Sequence, residues 1–260
     1  MVRSIAQWAL VTGASSGLGI EIATALAARR INLVLTARRE EPMQQLAAQL
    51  RRRFDVEVTV EAIDLSEPDS AATLQRRLDT RGVDPDILIN NAAFGLSSAF
   101  VDHDPARLRQ MLQLDVIAVT ELAHVFGKRM VTKGRGHMLL VASMAAYQPT
   151  PILAAYGAAK AFVLSFGEAL HAELAPSVTV TVLSPGLMDT GFFEVSGYRP
   201  PASMRRTMLS PAKVAEIGLG AMFAGKSSVI AGRLNGFMAL SSRFVPRHVL
   251  AKMVLRMSKG

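Results

Sequence analysis

The chain has 260 residues, half of them apolar, which is enough for one large α/β domain and excludes a disordered chain. Its 29 lysines and arginines outnumber 21 acidic residues, for a net charge of +8, but no recognised nucleic-acid motif accompanies the excess, so nucleic-acid binding is not expected. Cysteine is absent, which excludes disulfides and thiolate metal sites, and no apolar run reaches the roughly 18 residues of a bilayer span.

Short apolar runs alternate with longer stretches of helical spacing. In chain order the expected elements are a strand at Trp8–Val11, a helix at Ile20–Arg30, a strand at Asn32–Thr36 and a helix at Pro42–Arg53. A strand at Val56–Ile63, a helix at Pro68–Thr80 and a strand at Ile87–Ile89 follow. Then come one long helix at Pro105–Thr132, a strand at His137–Ala142, a helix at Ala155–Leu174 and strands at Val178–Ser184 and Ser227–Ala231. The strands are continuous apolar runs, as expected where helices cover both faces of a parallel sheet. With no internal repeat or linker, residues 1–260 read as a single doubly wound α/β domain of about seven strands. The first residues read as a strand entering a glycine turn, not as a signal peptide, and the cytosol is the expected compartment.

Thr12-Gly13-Ala14-Ser15-Ser16-Gly17-Leu18-Gly19 joins the first strand to the first helix. Glycines let such a backbone turn tightly and approach a pyrophosphate, whose charge sits at the helix N-terminus. The second strand ends in Thr36-Ala37-Arg38-Arg39. The acidic residue that holds a ribose 2′-OH in NAD binders is missing there, and Arg38 is suited to a 2′-phosphate. Asp64-Leu65 follows the third strand, where a carboxylate can accept from an adenine amino group. Asn90-Asn91-Ala92-Ala93 follows the fourth, where small residues suit close approach of a ribose.

Ser143 ends the fifth strand, with Tyr156 and Lys160 thirteen and seventeen residues later. Tyr156 and Lys160 are at i and i+4, on one helix face. An unperturbed phenol, with a pKa near 10, is a poor acid–base catalyst at neutral pH, and a nearby ammonium favours the phenolate. The Ser143 hydroxyl is suited to holding a substrate oxygen beside the phenol.

TGASSGLG, NNAA, Ser143, YGAAK and SPGLMDT stand in the order and spacing of the classical short-chain dehydrogenase/reductase family, which the chain resembles over about residues 5–195. The resemblance implies a seven-stranded Rossmann-type sheet and hydride transfer between a carbonyl or alcohol substrate and NADP(H). It implies that Tyr156 is the general acid/base, that Ser143 orients the carbonyl, and that Lys160 binds the nicotinamide ribose and tunes Tyr156. Pro185, Gly186 and Thr190, in the segment after the sixth strand, would contact the nicotinamide, with Thr190 on its carboxamide. Ala37-Arg38 resembles the NADP(H)-preferring branch. Two positions depart from the family pattern. Ala93 stands where a glycine is usual, and Asp115 stands where an asparagine normally completes a proton relay. The expectation is a surviving relay with an altered pH profile.

Residues 187–209 mix Gly, Pro, aromatics and Met and read as a substrate flap, with Phe94, Phe192, Phe193 and Tyr198 as candidate pocket lining. In residues 237–260, apolar Phe237, Leu240, Phe244, Val249, Met253 and Met257 lie among basic Arg243, Arg247, Lys252 and Arg256. This basic amphipathic segment suits packing on protein ahead of contact with an anionic membrane surface. Apolar residues on more than one side of the Tyr156 helix suggest a four-helix interface with the Pro105–Thr132 helix, hence a homodimer or homotetramer. The alternative to an enzyme is a regulator on the same fold that senses NADP(H) without turnover. The serine, tyrosine and lysine speak against it, and Asp115 for it.

Overall fold

The structure, a computed structural model, describes residues 7–198 and 208–259. Its centre is a seven-stranded parallel sheet of order β3-β2-β1-β4-β5-β6-β7. The strands are β1 (Trp8–Thr12), β2 (Asn32–Ala37), β3 (Val58–Ala62), β4 (Ile87–Asn90), β5 (Gly136–Val141), β6 (Val178–Ser184) and β7 (Ser228–Ile230). Helices α1 (Gly17–Ala27), α2 (Glu40–Phe54) and α3 (Ser70–Thr80) join the first four.

Strands carry their apolar residues on both sides, and each side has its own core. Ile22 and Leu26 of α1, Met43 and Leu46 of α2, and Val214 and Leu219 of a later helix pack one side. Leu74 and Leu78 of α3, Leu122 and Phe126, and Val163 pack the other. Each such side chain, taken fully out of water, contributes roughly 1.5–3 kcal/mol. The chain winds outward from β1 to β3 and then crosses to β4 on the other side of β1, so β1 and β4 diverge at the switch point where such sheets bind ligands.

The structure revises four expectations. The long helix at Pro105–Thr132 is instead α4 (Pro105–Leu112), a π-helical segment Gln113–Ala118, and α5 (Val119–Lys133). The first helix starts at Gly17, so Leu18 and Gly19 belong to it and not to the turn before it. After α6 (Ala154–Glu173) and the short α7 (Phe192–Ser196) comes a helix with no counterpart in the sequence reading, α8 (Pro211–Phe223). Its signal is nonetheless local: Ser210 caps it, accepting from Lys213 N at 3.3 Å, and Pro211 fills its first turn. The basic C-terminal segment is likewise two helices, α9 (Arg233–Ser241) and α10 (Arg247–Lys259), separated by a 3₁₀ turn at Ser242–Phe244.

Candidate active site

The carboxyl ends of β1 and β4 are tied together by one threonine. Thr12 Oγ1 donates to Ile89 O at 3.2 Å and accepts from the Asn91 and Ala92 amides, each at 2.9 Å. The Asn91 side-chain amide donates to Thr12 O at 2.9 Å, so it braces the glycine turn and is not free toward the cleft. Gly13 and Gly17 have φ of 68° and 53°, in the left-handed region. Gly19 is required for a different reason: a Cβ there would lie 2.2 Å from Gly13 O. The turn, with Ser15 and Ser16, thus delivers the N-terminus of α1 into the switch point. A helix N-terminus delivered by so tight a turn fits a dinucleotide pyrophosphate.

Both arginines after β2 are exposed and flank the turn. Arg38 Nη1 is 4.0 Å from Asp64 Oδ2. Arg39 Nη2 reaches Ser15, at 3.4 Å from Oγ and 3.5 Å from the carbonyl. Sequence reasoning singled out Arg38; it is the neighbour, Arg39, that contacts the turn. Asp64 is held in its own turn by Ser66, accepting from its amide at 2.9 Å and its hydroxyl at 2.6 Å, and Leu65 is buried behind it.

Tyr156 and Lys160 lie on the first turns of α6, and Lys160 points down toward the sheet. Its ammonium donates to Val141 O at 3.2 Å and sits 3.4 Å from Asp115 Oδ2. Neither side chain of this pair has meaningful contact with water: they are 3% and 0% exposed. The π segment brings Asp115 there, and Asp115 Oδ1 accepts from the Phe94 amide at 3.2 Å. Burial holds the Asp115 carboxyl above the ordinary aspartate range, against the pull of the Lys160 charge and the Phe94 amide. Lys160 Nζ is 5.6 Å from the centre of the Tyr156 ring. The Tyr156 phenol is pushed up, first by burial and then by the Asp115 charge, and a hydrogen bond with Ser143 opposes the rise. Ser143 lies just beyond β5 and caps the 3₁₀ turn Met144–Ala146, accepting from Ala145 N at 3.1 Å.

The segment after β6 closes over this group. Pro185 O accepts from Met144 N at 2.9 Å, which ties the segment to the Ser143 turn. Thr190 sits over the glycine turn, where a Cβ on Gly17 would come within 3.2 Å of it. Gly186 lies against Asn235 of α9. The Phe192 ring is tilted against Tyr156 at 5.3 Å, with Phe193 and Tyr198 following in a chain of ring contacts. Phe94 is instead buried under the Arg107 guanidinium and belongs to the core. Of the expected flap at 187–209, residues 187–198 contain α7 and place Phe192 against Tyr156, and residues 199–207 lie outside the described part. A separate depression of about 800 Å³, lined by Trp8, Asn32, Arg81 and Arg135 among others, lies at the amino ends of the strands, remote from all of these groups.

Known proteins resemble this chain in sequence and in overall fold. The sequence profile described as short chain dehydrogenase matches residues 7–198, and the chain belongs to that family. It is 32% identical over 195 residues to a probable oxidoreductase, EphD, of Mycobacterium bovis, spanning 74% of this chain and 33% of that protein. It is 30% identical over 204 residues to a very-long-chain 3-oxoacyl-CoA reductase of Phaeosphaeria nodorum, spanning 76% and 58%. The chain thus spans between a third and three fifths of the length of these relatives. Among solved structures, a short-chain dehydrogenase from Sphingobium yanoikuyae in complex with NADPH superposes with a TM-score of 0.81 at 29% identity, covering 92% of this chain and 93% of that one.

Proposed function

We propose that the chain is an NADP(H)-dependent oxidoreductase that interconverts a carbonyl and an alcohol. One observation carries this reading: Tyr156, Lys160 and Ser143 converge, and Thr190 of the segment that packs on them also sits over the glycine turn at the N-terminus of α1. Gly13, Ser15, Ser16, Gly17, Leu18 and Gly19 would hold the pyrophosphate at the N-terminus of α1. Arg38 and Arg39 would hold a 2′-phosphate, Asp64 and Leu65 the adenine, and the main chain of Asn91 and Ala92 the adjoining ribose. Lys160 would bind the nicotinamide ribose, with Pro185, Gly186 and Thr190 over the ring. When bound, the nicotinamide supplies the hydride donor or acceptor. Ser143 orients the substrate oxygen and Tyr156 moves the proton at its phenolic oxygen.

A phenol held high stays protonated through neutral pH, so it carries the proton that a reduced carbonyl oxygen must receive, although burial makes it a weaker acid than a free phenol. Phe192 against Tyr156 gives the substrate side an apolar wall, which supports a hydrophobic carbonyl substrate. Exposed Ile117, Val131 and Phe162 on the π segment, α5 and α6 support association into a homo-oligomer through these helices.

The test is NADPH consumption against aldehydes, ketones, diketones and 3-oxoacyl thioesters, with NADH in parallel and nucleotide binding titrated on the same sample. Turnover with NADPH is the expected result. Tight NADPH binding with no turnover on any of them would favour the sensor, and no binding of either nucleotide would end the cofactor assignment. Two substitutions probe the cradle. Gly19→Ala forces its methyl against Gly13 O, and overpacking of about 1–3 kcal/mol predicts a loss of NADPH affinity of tenfold or more, read by fluorescence titration. Arg38→Ser with Arg39→Ser removes two charge-assisted contacts, each worth about 1.5–3 kcal/mol. NADPH affinity is expected to fall by more than about a hundredfold, while NADH affinity stays put. Equal loss of both nucleotides would show that the arginines support the loop and not the phosphate.

A further inference from the structure

The last 44 residues of the chain, 217–260, contain seven lysines and arginines and not one acidic residue. In the fold this segment is a surface. Ala239 and Leu250 are buried and anchor α9 and α10 to the body. The same elements carry large apolar groups into water: Phe244 is 82% exposed, Phe237 68%, Leu240 56%, Met253 51% and Leu234 51%. Arg233, Arg243, Arg247, Lys252 and Arg256 are exposed among them. Several large apolar side chains exposed within one short stretch of chain point to an interaction surface, since single exposed ones are common and need no explanation.

We infer that α9, the turn Ser242–Phe244 and α10 form a docking face for an anionic phospholipid bilayer. Aromatic and aliphatic side chains interleaved with cations match the acyl boundary and the charged headgroups together. The pairing with a second copy of the chain is poorer. A two-fold contact puts the same face against itself, so the cations of one copy would meet those of the other, with no acid anywhere in the segment to pair them. The sequence reading put protein packing first for this segment; the excess of cations with no acid among them is what favours the anionic surface here. The face also adjoins the candidate active site. Asn235 of α9 abuts Gly186, and Ser242 Oγ donates to Tyr147 O at 3.4 Å, four residues beyond Ser143. Docking through it would bring the substrate side of the cleft near the lipid surface. The inference concerns binding alone and does not depend on the proposed reaction.

The experiment is cosedimentation of the full chain with vesicles of phosphatidylcholine, and of phosphatidylcholine doped with phosphatidylglycerol, at low and high salt. Binding is expected to the doped vesicles only, and salt is expected to release it. Arg243→Glu with Arg247→Glu should lower partitioning at least about tenfold, since each cation near such a surface accounts for about fivefold. Phe237→Ser with Phe244→Ser should weaken it by a similar factor. Arg52→Glu with Arg53→Glu, on the exposed side of α2, is the control for net charge and should weaken it far less. Circular dichroism establishes that each variant is folded, and the lipid and salt dependence of the unsubstituted chain decides the matter even if one is not. No binding to doped vesicles at low salt overturns the inference. So does equal binding to both lipids, or an equal loss in the α2 control. If Phe237→Ser with Phe244→Ser dissociates an oligomer and leaves vesicle binding intact, the face belongs to a second copy instead.

Discussion

Replacing Tyr156 by phenylalanine is expected to lower kcat by about 10²–10⁴-fold, the range that a positioned acid contributes, and to leave NADPH affinity essentially unchanged. The variant keeps the ring that Phe192 packs against and that Lys160 lies beside. It removes only the hydroxyl, and with it the proton that a reduced carbonyl oxygen must receive. Steady-state turnover and nucleotide titration on the same preparation separate the two effects. A variant with activity of the parent's order would place the acid elsewhere and leave Tyr156 as packing. A variant that lost NADPH affinity as well would mean that the phenol is a binding group first.

The second large effect concerns the buried pair of Asp115 and Lys160. Asp115→Leu strips the ammonium of its countercharge and the Phe94 amide of its acceptor. Breaking a buried pair from one side costs about 3–5 kcal/mol, and for a chain of this size that is a fall of roughly 10 °C in the melting temperature. Asp115→Asn keeps an acceptor for Phe94 and should cost far less. It should change the pH behaviour, however, and the sign is fixed. The folded Asp115 carboxyl is raised, so over the interval between its unfolded and folded values the native state holds a proton that the unfolded chain has released. That contribution to stability is present at low pH and is lost as pH rises through the interval. Asn does not titrate, so thermal unfolding of Asp115→Asn should show a shallower fall over that range. The catalytic profile should move too. The Asp115 charge helps to hold the phenol high, and its removal should shift the alkaline limb toward lower pH. If the two profiles coincide, the carboxylate does not act on Tyr156.

Much of this was legible in the chain because local and global signals agree. Apolar runs such as Asn32–Ala37 and Val178–Ser184 are strands for the reason the sequence suggests: both faces are covered. The i, i+4 spacing of Tyr156 and Lys160 survives directly as shared geometry on α6. Other features depend on distant partners. Nothing between Pro105 and Thr132 marks where the helical bonding slips, because a single surplus residue is taken up within one turn and the apolar residues on either side of it still read as helical. Asp115 in the middle of that stripe was the one anomaly, and its explanation is Lys160, forty-five residues on. Arg39 was passed over for Arg38 because only the fold decides which of two adjacent long side chains swings toward Ser15. The C-terminal segment was rightly seen as basic and amphipathic, but Pro246 splits it into two helices.

The slipped turn at Gln113–Ala118 has an evolutionary corollary. A π turn is an α-helix holding one surplus residue, and one residue is about 100° of rotation. Excising a single codon there would relax the helix to regular winding, with its apolar stripe still on the sheet, and would swing the carboxylate out of register with its lysine. The scaffold would outlive the site. Descendants of such a chain that differ by one deletion in this stretch are expected to share its shape and not its chemistry, so the length of this helix is a better marker of kept function than overall resemblance.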